Sequence, residues 1–154
     1  MVRALRIIHL PQQEEIQITL ERDGQRNIAP QVAFTGLLDP HLAEEIGWYF
    51  SEYLDAPFGP AKERAQSVEQ GLRNFGRLLF ESTFGSNEES KKFYNMVGED
   101  ELAGYQLELV SSDPAFLGLP WELLNEPERG YLTSRLASIL RVPSARLNDD
   151  NTLT

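Results

Sequence analysis

The apolar residues of this chain change their spacing twice, and this limits the possible folds more than any other feature. In residues 15–21 apolar and polar residues alternate, as in a strand with one buried face. In residues 39–96 apolar residues recur every three or four positions, the period of an amphipathic helix. In residues 105–110 the alternation returns. We therefore predict an α+β fold, with a small, mainly antiparallel sheet packed against a helical hairpin.

The N-terminal third has the pattern of a small antiparallel β unit. Residues 5–10 are short and mostly apolar, and Pro11 ends the run. Asp23-Gly24 follows the alternating segment and favours a tight turn, because glycine tolerates a positive φ. Residues 27–34 can return as an edge strand, since Pro30 has no N–H to donate to a ladder. Residues 138–142 are the last predicted strand.

The middle of the chain predicts helices. Asp39 and Pro40 suit the N-cap and first position of a helix, and Pro57 to Pro60 end it. A second helix is predicted over residues 61–82 and a short third helix over residues 88–96. Gly71 and Gly76 flank the stripe of the second helix and are expected to allow another helix to approach closely. The first helix is expected to bury Leu42, Ile46, Tyr49, Phe50 and Tyr53, and the second Ala65, Val68, Leu72, Phe75 and Leu79.

The length of 154 residues is that of one domain. We assign residues 1–143 to a single α+β domain and expect residues 144–154 to form a flexible tail. The start of the chain lacks an apolar run of signal-peptide length, and no stretch reaches the ~18 apolar residues of a membrane span. These features predict a cytoplasmic location.

Charge and cysteine content exclude several classes of function. The formal net charge is −10, and the acidity is concentrated in residues 31–130. Such a chain is a poor binder of DNA, RNA or anionic membranes, whose phosphates require clustered Lys and Arg. The sequence contains no cysteine, which removes disulfides, thiolate metal sites and a cysteine nucleophile. We therefore expect a protein partner, with homo-oligomerisation left open.

The titratable residues do not form a recognisable catalytic or metal motif. His9 lies in the first strand and His41 in the first turn of a helix, without a nucleophile elbow or an H-E-x-x-H spacing. The adjacent carboxylates are best explained as solvated helix surface. No cofactor or metal is predicted, and an unrecognised enzyme that uses His9 with carboxylates is the least favoured alternative.

The aromatic residues Trp48, Tyr49, Phe50 and Tyr53 span more than one face of the first helix. They could line a ligand groove, but packing in a core or between domains is the favoured interpretation. Trp48 falls beside the predicted stripe. We take Trp48 and Tyr49 as the candidate partner-binding residues.

The most distinctive segment is Pro120-Trp121-Glu122-Leu123-Leu124, which follows an alternating strand. Pro120 permits a short helical turn to begin at Trp121, and Glu122 suits the positive end of that turn. A tryptophan in this setting is expected to be buried, beneath the helical hairpin near Leu72, Phe75 or Leu79. Glu122 is expected to point outward or to accept hydrogen bonds from nearby backbone N–H groups. By itself the segment predicts a structural corner between two strands.

This segment resembles the Pro-Trp-Glu-Leu-Leu signature of CHAT domains, caspase-like domains often found beside tetratricopeptide repeats. The similarity covers roughly residues 35–142 and includes the Arg-bearing strand Ser138-Ile139-Leu140-Arg141. It implies that Pro120 to Leu124 are signature positions with a structural role. Active members of the family are cysteine peptidases whose His-Gly histidine and cysteine follow the signature. This chain has neither a cysteine nor a histidine after His41, so no catalytic residue transfers and the caspase-like catalytic sheet is expected to be lacking.

The resemblance predicts a non-catalytic, N-terminal accessory or scaffold region of a CHAT-type caspase-like protein. No activity is expected from this chain alone, whereas the parent protein could be a peptidase. The alternative is a stand-alone protein-interaction or regulatory module that binds through the side of Trp48 and Tyr49. The scaffold hypothesis also predicts an unpaired edge at residues 138–142, and hence dimerisation.

Overall fold

The structure is a computed structural model. It describes residues 3–34, 40–54, 61–99, 102–126 and 130–144. The predicted N-cap Asp39, the predicted break at residues 57–60 and nearly all of the predicted tail lie outside these ranges.

The strands form one main sheet and a two-stranded ribbon. The main sheet has the order β3-β2-β1-β5-β8, with β4 also paired to β2, and β6 pairs with β7 in the ribbon. The strands are β1 (Ala4–Leu10), β2 (Glu15–Arg22), β3 (Gln25–Ile28), β4 (Val32–Ala33), β5 (Gln106–Ser111), β6 (Asn125–Glu126), β7 (Gly130–Tyr131) and β8 (Ser138–Pro143).

The directions of the strands follow from how the chain connects them. β2 is antiparallel to β1 and β3, because short turns join these neighbours, and β4 continues after β3 to pair antiparallel with the start of β2. The turn between β2 and β3 contains Asp23 and Gly24, both with positive φ, as the Asp-Gly pair predicts. β5 and β8 run parallel to β1, since long connections separate them along the chain. The predicted strand at residues 27–34 is divided around Pro30 between β3 and β4.

Helices cover one face of the sheet. They are α1 (Pro40–Trp48), which continues as a π-helical turn (Tyr49–Tyr53), then α2 (Ala61–Thr83), α3 (Glu88–Glu99) and the short α4 (Pro114–Leu117). The apolar stripe of α2 is buried as predicted, and Phe75 and Leu79 join the core cluster. Phe93 and Val97 of α3 pack into the same cluster with Ile7 of the sheet. The α+β fold with a mostly antiparallel sheet is therefore confirmed.

The prediction that α1 buries an apolar stripe was wrong. Neither α1 nor the π-helical turn contains a buried residue, and Phe50 is 58% exposed. α1 contacts α2 rather than the sheet, so it forms an outer layer over a helix that already covers the core. The spacing of its apolar residues was helical, but spacing does not specify which helices lie next to a sheet.

None of the helices within the described ranges is long and apolar enough to cross a membrane.

Candidate functional site

The signature corner, defined here as Pro120–Leu124, lies between α4 and the strands that follow it. Asp113 begins α4 by accepting a hydrogen bond from the N–H of Ala115 at 3.0 Å. Trp121–Leu123 then form one 3-10 turn directly after Pro120. After β5 the chain therefore forms α4 and then the 3-10 turn of the corner, both on the helical face of the sheet.

Trp121 anchors the corner from the inside. Its side chain is fully buried, and its indole Nε1–H donates a hydrogen bond to the carbonyl oxygen of Phe116 at 2.8 Å. The Trp121 ring lies 4.9 Å from that of Phe116 and 6.2 Å from that of Phe34, centroid to centroid. Burial of Trp121 is therefore confirmed. It shares a core cluster with Phe75 and Leu79, although its aromatic neighbours come from α4 and the segment after β4.

Helix α2 packs against the signature corner through a close backbone contact at Gly76. A Cβ atom at Gly76 would overlap the carbonyl oxygen of Leu123, so only glycine fits there without a shift. Asn125 Nδ2 donates to the carbonyl oxygens of Arg73 and Leu123, each at 3.1 Å. A segment does approach Gly76 closely, but it is the signature corner and not another long helix of the predicted hairpin.

Arg141 of β8 fastens the corner from the outside. Its Nε–H donates to the carbonyl oxygen of Leu117 at 2.7 Å, and its Nη2 lies 2.6 and 2.7 Å from the two carboxylate oxygens of Glu122. This ion pair holds the pKa of Glu122 below its ordinary value. Glu122 thus points outward, as expected, and its side-chain partner is Arg141, which lies 19 residues later in the chain.

Trp48 and Tyr49 make their contacts with α2 and with the other aromatic residues of their own helix. The guanidinium of Arg64 lies over the Trp48 ring at 3.9 Å, and Glu45 accepts two hydrogen bonds from that guanidinium. The Tyr49 hydroxyl donates to Glu69 at 2.9 Å. Both side chains are half-buried, and Phe50 is more exposed than either. The structure does not test whether they bind a partner.

A pairing of His9 with Ser111 was missed by the sequence analysis. His9 Nδ1 lies 2.7 Å from Ser111 Oγ, which also accepts the N–H of Asp113 at 2.9 Å. The imidazole stacks on Phe116 at 4.1 Å, and burial lowers the pKa of His9 although Asp113 opposes the shift. The sequence shows Ser111 only as part of a turn, so nothing in it signals that parallel pairing brings the ends of β1 and β5 together.

The geometry of the His9–Ser111 pair is that of a buried hydrogen bond and does not expose Ser111 Oγ to a substrate. Ser111 has no exposed surface, and its oxygen already interacts with two partners. A nucleophile must reach a substrate atom and be activated by an oriented base. The pair therefore satisfies two polar groups at the edge of the core beside α4.

The face of the sheet opposite the helices carries a shallow depression of about 730 Å³. Ile8 and Val110 form an apolar row there with Val142, because the three residues are aligned in register. Beside this row Arg6 pairs with Glu21 and with Glu108, the latter at 3.1 Å. In the parts of the chain that the structure describes, no group of three side chains is placed to hold a metal ion.

Comparison of the sequence with models of known protein families and with curated protein sequences gave no match.

Proposed function

We propose that this chain is a non-catalytic accessory or scaffold region of a CHAT-type caspase-like protein. The observation that carries the proposal is the ion pair between Glu122 of the signature corner and Arg141 of β8. The resemblance rests on a signature and on a later Arg-bearing strand, and this ion pair gives the two a shared physical role. The corner fixes the position of β8 relative to the helices. Further strands of a caspase-like sheet would pair with the outer edge of β8.

The charge and composition support a protein partner in this role. A net charge of −10 disfavours nucleic acid and anionic membranes. A cytoplasmic location belongs to the same proposal and is supported by a sequence without cysteine, and therefore without disulfides.

A sequence without cysteine and without a recognisable nucleophile–base motif also predicts that the chain has no peptidase activity of its own. Incubation with a diverse peptide library should give no cleavage above that of a heat-inactivated sample. His9→Ala is the informative variant, since His9 pairs with the hydroxyl of Ser111. Cleavage that survives repurification and disappears in His9→Ala would show a catalytic site at His9 and Ser111.

The scaffold role is tested by the coding sequence after Thr154 and by hydrogen exchange. We expect the reading frame to continue into a His-Gly strand and a cysteine-bearing strand. The longer product and this chain should then be compared at concentrations at which both are monomeric. The amides of Ile139 and Arg141 should exchange more slowly in the longer product, whereas those of Arg26 and Ile28 at the opposite edge should not change. A stop codon directly after Thr154, or equal exchange at β8, contradicts the scaffold role.

A second candidate, a stand-alone protein-interaction module, is favoured by one observation. α1 and the π-helical turn contain no fully buried residue, yet they expose Phe50 at 58% and are followed by Leu54 at 49%. A stop codon after Thr154 together with partner binding that Phe50→Ser abolishes would establish this function. Leu78→Ser is the matched control, because Leu78 is 57% exposed but lies on α2.

A further inference from the structure

The hydrogen-bonding direction of each residue in β8 follows from its neighbours. Gln106 N–H donates to Arg3 in the direction of β1, at 3.0 Å. In a parallel ladder the N–H and C=O groups of one residue both point to the same neighbouring strand, and those of the next residue point to the strand on the other side. Because Gln106 faces β1, both backbone groups of Leu107 face β8. Leu107 is in register with Ile139, and its hydrogen bonds therefore go to Ser138 and Leu140. The Ser144 N–H bonded to Ser111 at 2.8 Å continues this alternation.

The backbone groups of Ile139 and Arg141 consequently point away from the sheet. β8 is the last strand in the order of the main sheet, and no other described strand pairs with it. Pro143 is the next residue with this orientation, but it has no N–H to donate. The free edge thus presents two complete donor–acceptor pairs, placed symmetrically on either side of Leu140.

The part of this edge around Leu140 lacks the usual protection against pairing with another strand, since Pro143 guards only the C-terminal end of β8. Exposed edges are commonly guarded by charged side chains, by proline or by short length. β8 has six residues, and its one charged residue, Arg141, is held against Glu122 of the corner at 2.6 Å. Leu140 is 45% exposed and lies in register with Glu108 on the uncovered face of the sheet.

We propose that β8 pairs antiparallel with β8 of a second copy of this chain, with Leu140 on the two-fold axis. In this register Ile139 of one copy lies opposite Arg141 of the other, and each such pair exchanges two backbone hydrogen bonds. The two Leu140 side chains face each other on the same side of the joined sheet. A second copy fits because the free groups are symmetric about Leu140 and an isologous contact requires a self-complementary surface.

The charges at this edge are compatible with the two-fold contact. Each copy carries the positive charge of Arg141 and the negative charge of Glu122 side by side, so this pair adds no net charge at the contact. The proposal concerns the chain as printed and goes beyond the scaffold role, which concerns a longer polypeptide. A monomeric chain would refute the dimer without affecting the reading-frame test.

Sedimentation equilibrium of the unmodified chain is the first test. We expect the mass to rise with concentration from 17.5 kDa toward twice that value. A single species of 17.5 kDa at all concentrations would overturn the proposal.

A cysteine introduced at the axis is the second test, because the chain has no other cysteine. Residues opposite each other in a non-hydrogen-bonded antiparallel pair have Cα atoms about 4.5 Å apart, within the range that a disulfide spans. Mild oxidation of Leu140→Cys should therefore give a disulfide-linked dimer. Ile28→Cys is the matched control, since Ile28 is 57% exposed on β3 at the opposite edge.

The cross-linking pattern also tests the register. Val142→Cys should not cross-link, because Ser138 of the second copy would lie opposite it. Leu140→Lys, which keeps the backbone groups and sets two like charges face to face, should weaken the dimer about tenfold or more. A dimer that cross-links equally through Ile28→Cys, or that is unchanged by Leu140→Lys with native circular dichroism, contradicts the proposed interface.

Discussion

The two tryptophans of this protein both lie among apolar residues in the sequence, but their surroundings differ in the folded structure. Trp121, in the signature corner, is fully buried and donates its indole hydrogen to a backbone carbonyl. Trp48, at the end of α1, is half-buried and covered on one face by the guanidinium of Arg64. Both have aromatic neighbours. Aromatic content therefore did not decide which region became core.

The difference comes from the segment that lies against each tryptophan. The corner sits against α2 at Gly76, where the absence of a side chain lets two backbones meet. α1 approaches α2 at Gly71 through the tip of the Leu42 side chain, and its other ties are surface ion pairs and hydrogen bonds. The backbone contact at Gly76 accompanies complete burial of Trp121, whereas the side-chain contact at Gly71 leaves Trp48 partly exposed.

The largest expected effect is that of removing each tryptophan. Trp121→Ala should lower the free energy of unfolding by about 3–5 kcal/mol, because it empties a closed site in the core. Trp48→Ala should cost about 1 kcal/mol or less, since the ring loses a partly exposed cation–π contact. Urea denaturation of both variants measures the difference. Equal losses would mean that α1 is as integral to the core as the corner.

Alanine substitutions at Gly76 and Gly71 of α2 are expected to have smaller effects on stability than loss of Trp121, and these two effects should differ from each other. Gly76→Ala should destabilise the protein by about 1–3 kcal/mol, because its methyl group would meet the backbone of Leu123. At Gly71 the nearest atom is Leu42 Cδ1, which can move, and alanine favours a helix interior by roughly 0.5–1 kcal/mol. Gly71→Ala should therefore be neutral or stabilising. Thermal melts of the two variants compare them directly, and a stable Gly76→Ala would refute the close contact.

The smallest effect concerns the ion pairs that fasten each region. Arg141 lowers the pKa of Glu122, so this pair stabilises the fold above the carboxyl's unfolded pKa. The contribution is lost as the pH falls through the lower folded pKa. Glu122→Gln should cost roughly 0.5–1 kcal/mol at neutral pH, since both groups are partly exposed, and nothing in strong acid.

Glu45→Gln is the matched variant, because Glu45 also binds an arginine through two hydrogen bonds. Hydrogen exchange distinguishes the two. Glu122→Gln should speed the exchange of β8 amides that bond to β5, whereas Glu45→Gln should leave β8 unchanged. If both variants, or neither, alter β8, the corner does not position that strand.

Much of the fold could be predicted because it depends on local patterns. Alternation identified β2 and β5, Asp23-Gly24 identified the turn between β2 and β3, and the apolar stripe identified α2. The α1 stripe was predicted to be buried for the same reason, and that was wrong because burial depends on what packs against a helix. The His9–Ser111 pair was missed because it joins residues 102 positions apart through parallel pairing.

The sequence alone determined β2, β5 and α2, the net charge and the absence of thiol chemistry, since each depends on residue type or on spacing along a few turns of chain. The burial of Trp121 also followed from its local setting. Only the tertiary structure decided that Glu122 pairs with Arg141 and that the segment lying against Gly76 is the signature corner. These features depend on long connections that bring distant segments together, and local periodicity carries no information about where such connections end.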